Sequence, residues 1–181
     1  MSSRSPISSA HCGLTRRAWL GVTLLCGVQL PVDAAQATLP AAKSLPDELA
    51  LALKGGGPLV VMVSLDGCPF CKTVHENYLS PLRAQEGLIV VQVDMRSAAP
   101  VRDFHAATLT HDQLVRAWAI TMAPTLLFFG PSGVEVAPRL VGVSSGDYYG
   151  TFLDDRLAQA RSALTSFQPR KTGHQTKPHQ R

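Results

Sequence analysis

Cysteine is scarce in this chain: four among 181 residues, with Cys12 and Cys26 inside the first 37. So few exclude a disulfide-stapled scaffold. If the leader-like first segment is removed, Cys68 and Cys71 remain, and two thiolates cannot build a four-thiolate zinc site. Long hydrophobic runs are also missing. The first apolar stretch, Ala18 to Val28, is interrupted by Gly21 and Gly27 and falls short of the roughly 20 residues that span a bilayer. Acidic residues are absent from 166–181, which carries Arg170, Lys171, Lys177 and Arg181. Between 38 and 165, ten Lys and Arg face twelve Asp and Glu, so the formal charge of +4 and the pI near 9.1 belong to the two ends. A basic nucleic-acid footprint on the folded part is thereby excluded. No internal repeat is present.

What the chain does contain is enough apolar residue, 45%, with 17% charged, to bury the core of one domain of about 100 to 150 residues plus extensions. Residues 1–37 read as an export signal. Arg16-Arg17 precede the apolar run, and Ala35-Gln36-Ala37 offers a small-residue cleavage site. "TRRAWL" is similar to a twin-arginine motif, with Trp19 in place of the usual Phe, so twin-arginine and general secretory export both stay open. An uncleaved N-terminal anchor is the alternative. Leu24 and Leu25 are too large for a lipidation box at Cys26. The 166–181 segment, polar and aperiodic, reads as a disordered basic tail.

Between these ends the pattern alternates. Ser44 is positioned to cap a helix that carries Leu45, Leu49 and Leu53 and ends at Lys54 before three glycines. Leu59 to Leu65 is a continuous apolar run, expected as a strand covered on both faces. A helix should start at the cysteine pair and stop at Ser80-Pro81. Leu88 to Asp94 reads as a second buried strand, and Met95 to Leu109 as looser chain. Thr110 and Gln113 form a capping box for a helix to about Trp118. Thr125 to Phe129 and Val134 to Gly142 predict a hairpin around Gly130-Pro131-Ser132-Gly133, with Pro138 suited to an edge or bulge. A last helix is expected from Asp147 to Leu164, with Phe152, Leu153, Leu157, Ala160 and Leu164 on its apolar side and Tyr148 and Tyr149 packing it. Trp118, Phe128 and Phe129 read as core or groove lining.

The chemistry centres on "CPFCK", residues 68–72. Two cysteines three residues apart close too small a loop to staple a domain, and in an oxidising compartment they read as a working disulfide. The alternative is a copper- or zinc-binding or delivery module. It would use Cys68, Cys71 and His75, four residues further on, and would still lack a ligand that His105 or His111 would have to supply. Without that role His75 is expected on the helix surface, and Lys72 in solvent.

The order β-α-β-α-β-β-α after an initial helix, "CPFCK" at the first strand-to-helix junction, and "ITMAPTLLFFGPSG" at 120–133 together resemble the thioredoxin superfamily over most of residues 45–165. The finer likeness is to exported thioredoxin-related proteins, the SoxW type among them. The resemblance implies an α/β thioredoxin fold over 38–165, a central mixed β-sheet flanked by helices. It also implies a thiol:disulfide oxidoreductase with no cofactor. Cys68, at a helix start where the macrodipole and free N–H groups stabilise a thiolate, would be the nucleophile. Cys71 would be the buried resolving thiol, and Pro69 and Phe70 would tune the couple. Pro124 would be a cis-proline against the sulfurs, and Ala123 would offer backbone groups to the substrate chain. Cytosolic members carry Trp before the first cysteine, Gly-Pro between the two and a buried Asp on the preceding strand. Here Gly67, Pro69-Phe70 and Met62 stand there, and Asp66 reads as a solvated loop residue. The expectation is a periplasmic monomer that acts as a reductant on protein thiols and disulfides, supplied by a membrane electron donor, without nucleic acid or metal.

Overall fold

The computed structural model describes residues 38–143 and 148–167. The leader-like segment 1–37, with Cys12 and Cys26, lies outside the described residues, as do 144–147 and nearly all of the basic tail.

A four-stranded sheet organises the chain, in the order β2 (Val90–Asp94), β1 (Leu59–Ser64), β5 (Thr125–Phe129), β6 (Glu135–Val141). β1 runs parallel to β2 and antiparallel to β5, so the sheet is mixed. Its central strands are buried along their whole length. The period-2 alternation of side chains sends Val60 and Met62 to one face and Leu59, Val61 and Val63 to the other. On the first face they pack with Val74, Leu79 and α5 (Tyr149–Phe167) through Leu153, Leu157 and Ala160. On the second they meet Leu45, Leu49 and Ala52 of α1 (Leu45–Lys54) and Leu114 and Val115 of α4 (His111–Ala117). The apolar run at 59–65 therefore behaves as a strand covered on both faces, ending one residue early at Ser64.

Both sheet edges are blunted. On the β2 side, Ala42 N–H donates to Gln92 C=O and Gln92 N–H to Pro40 C=O, each at 2.8 Å, so residues 40–42 form a strap along the edge. At the other edge β6 carries Pro138, exposed, and the β5–β6 register shifts between Leu126 and Phe129. The capping box at Thr110 is present with both reciprocal bonds.

Several expectations are corrected. The helix that begins at α2 (Pro69–Val74) does not stop at Ser80-Pro81. It passes through a π turn, His75–Leu79, into α3 (Ser80–Glu86). Proline inside a helix lacks a donor, and its ring meets the carbonyl four residues back. Here Ser80 N–H reaches the His75 carbonyl instead, five residues back, and the widened turn admits Pro81. Ser44 occupies the first cap of α1 without a capping side-chain bond; its hydroxyl accepts from Arg102 Nε at 3.1 Å. The second strand starts at Val90, not Leu88. The stretch 95–109 contains a short antiparallel hairpin, β3 (Pro100–Arg102) with β4 (Thr108–Thr110). The last helix runs to Phe167; Phe152 is 41% exposed on it and Tyr148 lies in solvent, while Tyr149 is buried.

Candidate functional site

Cys68 caps the N-terminus of α2. The chain reaches it by a tight turn in which Gly67 takes φ +69° and Cys68 N–H donates to the Leu65 carbonyl at 3.1 Å. A left-handed φ suits glycine, so Gly67 serves the turn. Pro69 begins the helix, where its missing N–H costs nothing. Cys68 and Cys71 are disulfide-bonded, their Cα atoms 5.3 Å apart. Cys71 N–H donates to Cys68 Sγ at 3.1 Å, so an amide of the first helical turn is aimed at that sulfur, the arrangement that stabilises a thiolate. The two sulfurs differ in access: Cys68 is half-buried and Cys71 is 4% exposed. An attacking and a resolving role divide naturally along that difference.

Phe70 is 61% exposed beside the disulfide. Ala123 and Pro124 lead into β5, and the peptide between them is cis. Ala123 packs against the core cluster that holds Cys71, as does Cys68, and Pro124 is buried. The loop is held by Gly142 N–H on the Pro124 carbonyl at 2.8 Å and by Thr125 Oγ1 donating to the Met122 carbonyl at 2.7 Å. Met122 itself is exposed. Met62 is buried in the core, and Asp66 is exposed as expected. Lys72 is also in solvent, 3.9 Å from Glu76, an exposed pair of little energetic weight.

A groove of about 1140 Å³ opens on the β2 side of the disulfide, with Cys68, Cys71 and His75 on one wall and Asp94, Met95 and Arg96 on the other. His75 corrects the surface expectation. It is 9% exposed, and its Nε2 is buried with no hydrogen-bond partner among the described residues. Its N–H donates to the Cys71 carbonyl, so one regular turn stacks His75 above Cys71 on the inward face. Burial holds its imidazole below the ordinary histidine range; Glu76 opposes that shift and Arg83 adds to it. The four-residue spacing from Cys71 was the signal for this position, and the general exposure of histidines outweighed it.

His111 is a structural residue. Its Nδ1 accepts from Asp94 N–H at 3.1 Å and its Nε2 sits 2.9 Å from the Ala42 carbonyl. Both nitrogens are committed, so it has no lone pair for a metal. His105 is exposed in the β3–β4 turn. Among the described residues, no group of three or more His, Cys, Asp or Glu is placed to hold a metal ion. No helix among them is long and apolar enough to cross a membrane.

A thioredoxin-like domain family matches residues 45–157. No curated protein matches the chain. Among solved structures, the oxidised thioredoxin O2 of Arabidopsis thaliana is similar at 19% identity, TM-score 0.46, over 68% of this chain and 95% of its own. The periplasmic thioredoxin SoxS of Paracoccus pantotrophus, in reduced form, is similar at 18% identity, TM-score 0.40, over 57% and 98%. The Trxlp protein of Edwardsiella tarda is similar at 26% identity, TM-score 0.43, over 65% and 97%.

Proposed function

The chain belongs to the thioredoxin-like domain family, and on that premise we propose that it is an exported thiol:disulfide oxidoreductase that reduces disulfides in protein clients. The observation that carries this reading is the amide of Cys71 directed at Cys68 Sγ at a helix N-terminus, with Cys68 accessible and Cys71 buried. In the reduced protein the Cys68 thiolate attacks a client disulfide. A Cys68–client bond forms and one client thiolate leaves. Cys71 then attacks Cys68 Sγ, the mixed disulfide breaks, and the second client thiolate leaves with the pair of electrons. The protein ends in the disulfide form described above. A dithiol donor must restore it, and in an exported setting that donor is a membrane protein.

The loop of Ala123 and Pro124 takes the client chain, and Pro69 and Phe70 shape the rim. No cofactor enters the scheme. The near-neutral central region supports protein partners over nucleic acid, and the protein acts as a monomer. Periplasmic localisation rests on the leader-like pattern of residues 1–37, and the likeness to SoxW-type proteins belongs to the same reading.

The test is trapping. Cys71→Ser should accumulate mixed disulfides with clients and Cys68→Ser none; equal trapping by both would refute the roles. Direction is read by equilibrating the mature protein with thiol buffers. A potential near about −270 mV identifies a reductant, and one near about −120 mV a disulfide donor.

A further inference from the structure

The resolving step leaves a proton unaccounted for. Cys71 is buried in the apolar core cluster that also holds Val74, Met62, Leu126 and Tyr149, and apolar burial holds a thiol protonated. Attack on the mixed disulfide requires the thiolate, so some group must accept the Cys71 proton. His75, one helical turn on from Cys71, is a titratable side chain that is itself buried. Among the described residues its Nε2 stands without a partner, and a buried polar atom left unpaired is destabilising. That cost has a chemical explanation. A disulfide sulfur has no proton to donate, whereas reduction places an S–H donor one helical turn away, side chains at this spacing lying about 5–6 Å apart at Cβ.

Resting on the proposed disulfide exchange, we propose that His75 Nε2 accepts the proton of the Cys71 thiol as Cys71 attacks the Cys68–client disulfide. The thiol S–H bond breaks, an Nε2–H bond forms, Cys71 Sγ bonds to Cys68 Sγ, and the client sulfur leaves with the electron pair. The imidazolium then releases its proton to solvent in the groove. Burial keeps the imidazole neutral at neutral pH, the form that can accept. The charges around it are Lys72, Glu76 and Arg83 on its own helix, Asp66 before it, and Asp94 and Arg96 across the groove. Tyr78 and Tyr149 belong to the same core.

The experiment mixes reduced protein with an aryl disulfide whose thiolate product is coloured. The first thiolate released reports attack by Cys68, the second resolution by Cys71. In His75→Gln the first release should be unchanged, while the second slows about a hundredfold at about pH 7. The rates should converge in alkali, where the thiol ionises unaided. Equal slowing at every pH, or no slowing, overturns the proposal. Absence of the first release in the unsubstituted protein refutes disulfide exchange itself and is thereby distinguished. Should His75→Gln not fold, the imidazole resonance of His75 in the unsubstituted protein decides. Its titration must move between the oxidised and reduced forms, and an identical titration in both overturns the proposal.

Discussion

Removing the His111 imidazole should cost more stability than a single histidine usually carries, and the structure says why. The side chain is 1% exposed. Because Asp94 N–H donates to Nδ1, the proton must sit on Nε2, which donates to the Ala42 carbonyl. One ring thus joins the strap at the sheet edge to the end of β2. His111→Ala leaves two backbone groups unpaired, at about 1–3 kcal/mol each, and opens a cavity besides. A total loss of about 3–5 kcal/mol follows, a large share of the roughly 5–15 kcal/mol that holds a domain together. His111→Asn, whose side-chain oxygen can still accept from Asp94 N–H, should lose about half as much. Urea titration reads both as a lower midpoint at unchanged slope. Amide exchange at Ala42 and Gln92 should quicken in His111→Ala as the strap lifts. A loss below about 1 kcal/mol, or unaltered exchange at those amides, would refute the bridging argument.

Glu48 accepts from Lys43 N–H at 2.8 Å through Oε1, while its other oxygen is buried without a partner among the described residues. Burial raises its carboxyl above the ordinary value of 4.5. As pH rises through that window the unfolded chain ionises first, so the folded state loses stability. Glu48→Gln should therefore be more stable than the parent at neutral pH and lose that advantage in acid below 4.5, as thermal melts at both pH values would record. Gly133 has φ +71°, and a Cβ there would collide with the Phe104 ring, which packs 4.7 Å from Phe129. Gly133→Ala should cost about 2 kcal/mol in urea titration. Phe70→Ser, at a site 61% exposed, should change stability by less than about 0.5 kcal/mol. It should slow reduction of a protein disulfide but spare the aryl disulfide; equal rates with both would remove Phe70 from client contact.

The central sheet was legible in the sequence because β1 and β5 are buried on both faces, and unbroken apolar runs such as Leu59 to Ser64 have no other stable use at that length. The cysteine pair, the capping box at Thr110 and the hairpin after Phe129 were legible because local chemistry dictates each. β3 and β4 were not. Each is three residues long, and only Val101 is fully buried. Their hairpin is held by Asp103 Oδ1 accepting from His105 and Ala107 N–H and by Ala106 at φ +65°, features without a hydrophobic period. Pro81 misled for a different reason: it forbids an α turn, and the chain answered with a π turn instead of an end. The same helix hid His75, whose burial is decided by how the helix packs in the fold and not by its local sequence.

The strap along β2 sets a limit on how this chain can be shortened. Pro40 and Ala42 close the open rim of the sheet through Gln92, and Leu39, 6% exposed, is already part of the core. Trimming after Ala37 keeps every one of these residues, whereas a cut three positions later would strip Leu39 and the Pro40 acceptor and bare a strand rim to neighbouring molecules. A boundary after Ala37 would therefore lie within two residues of Leu39, where the core begins. A shift of three residues in where the chain starts exchanges a sealed sheet rim for an open one.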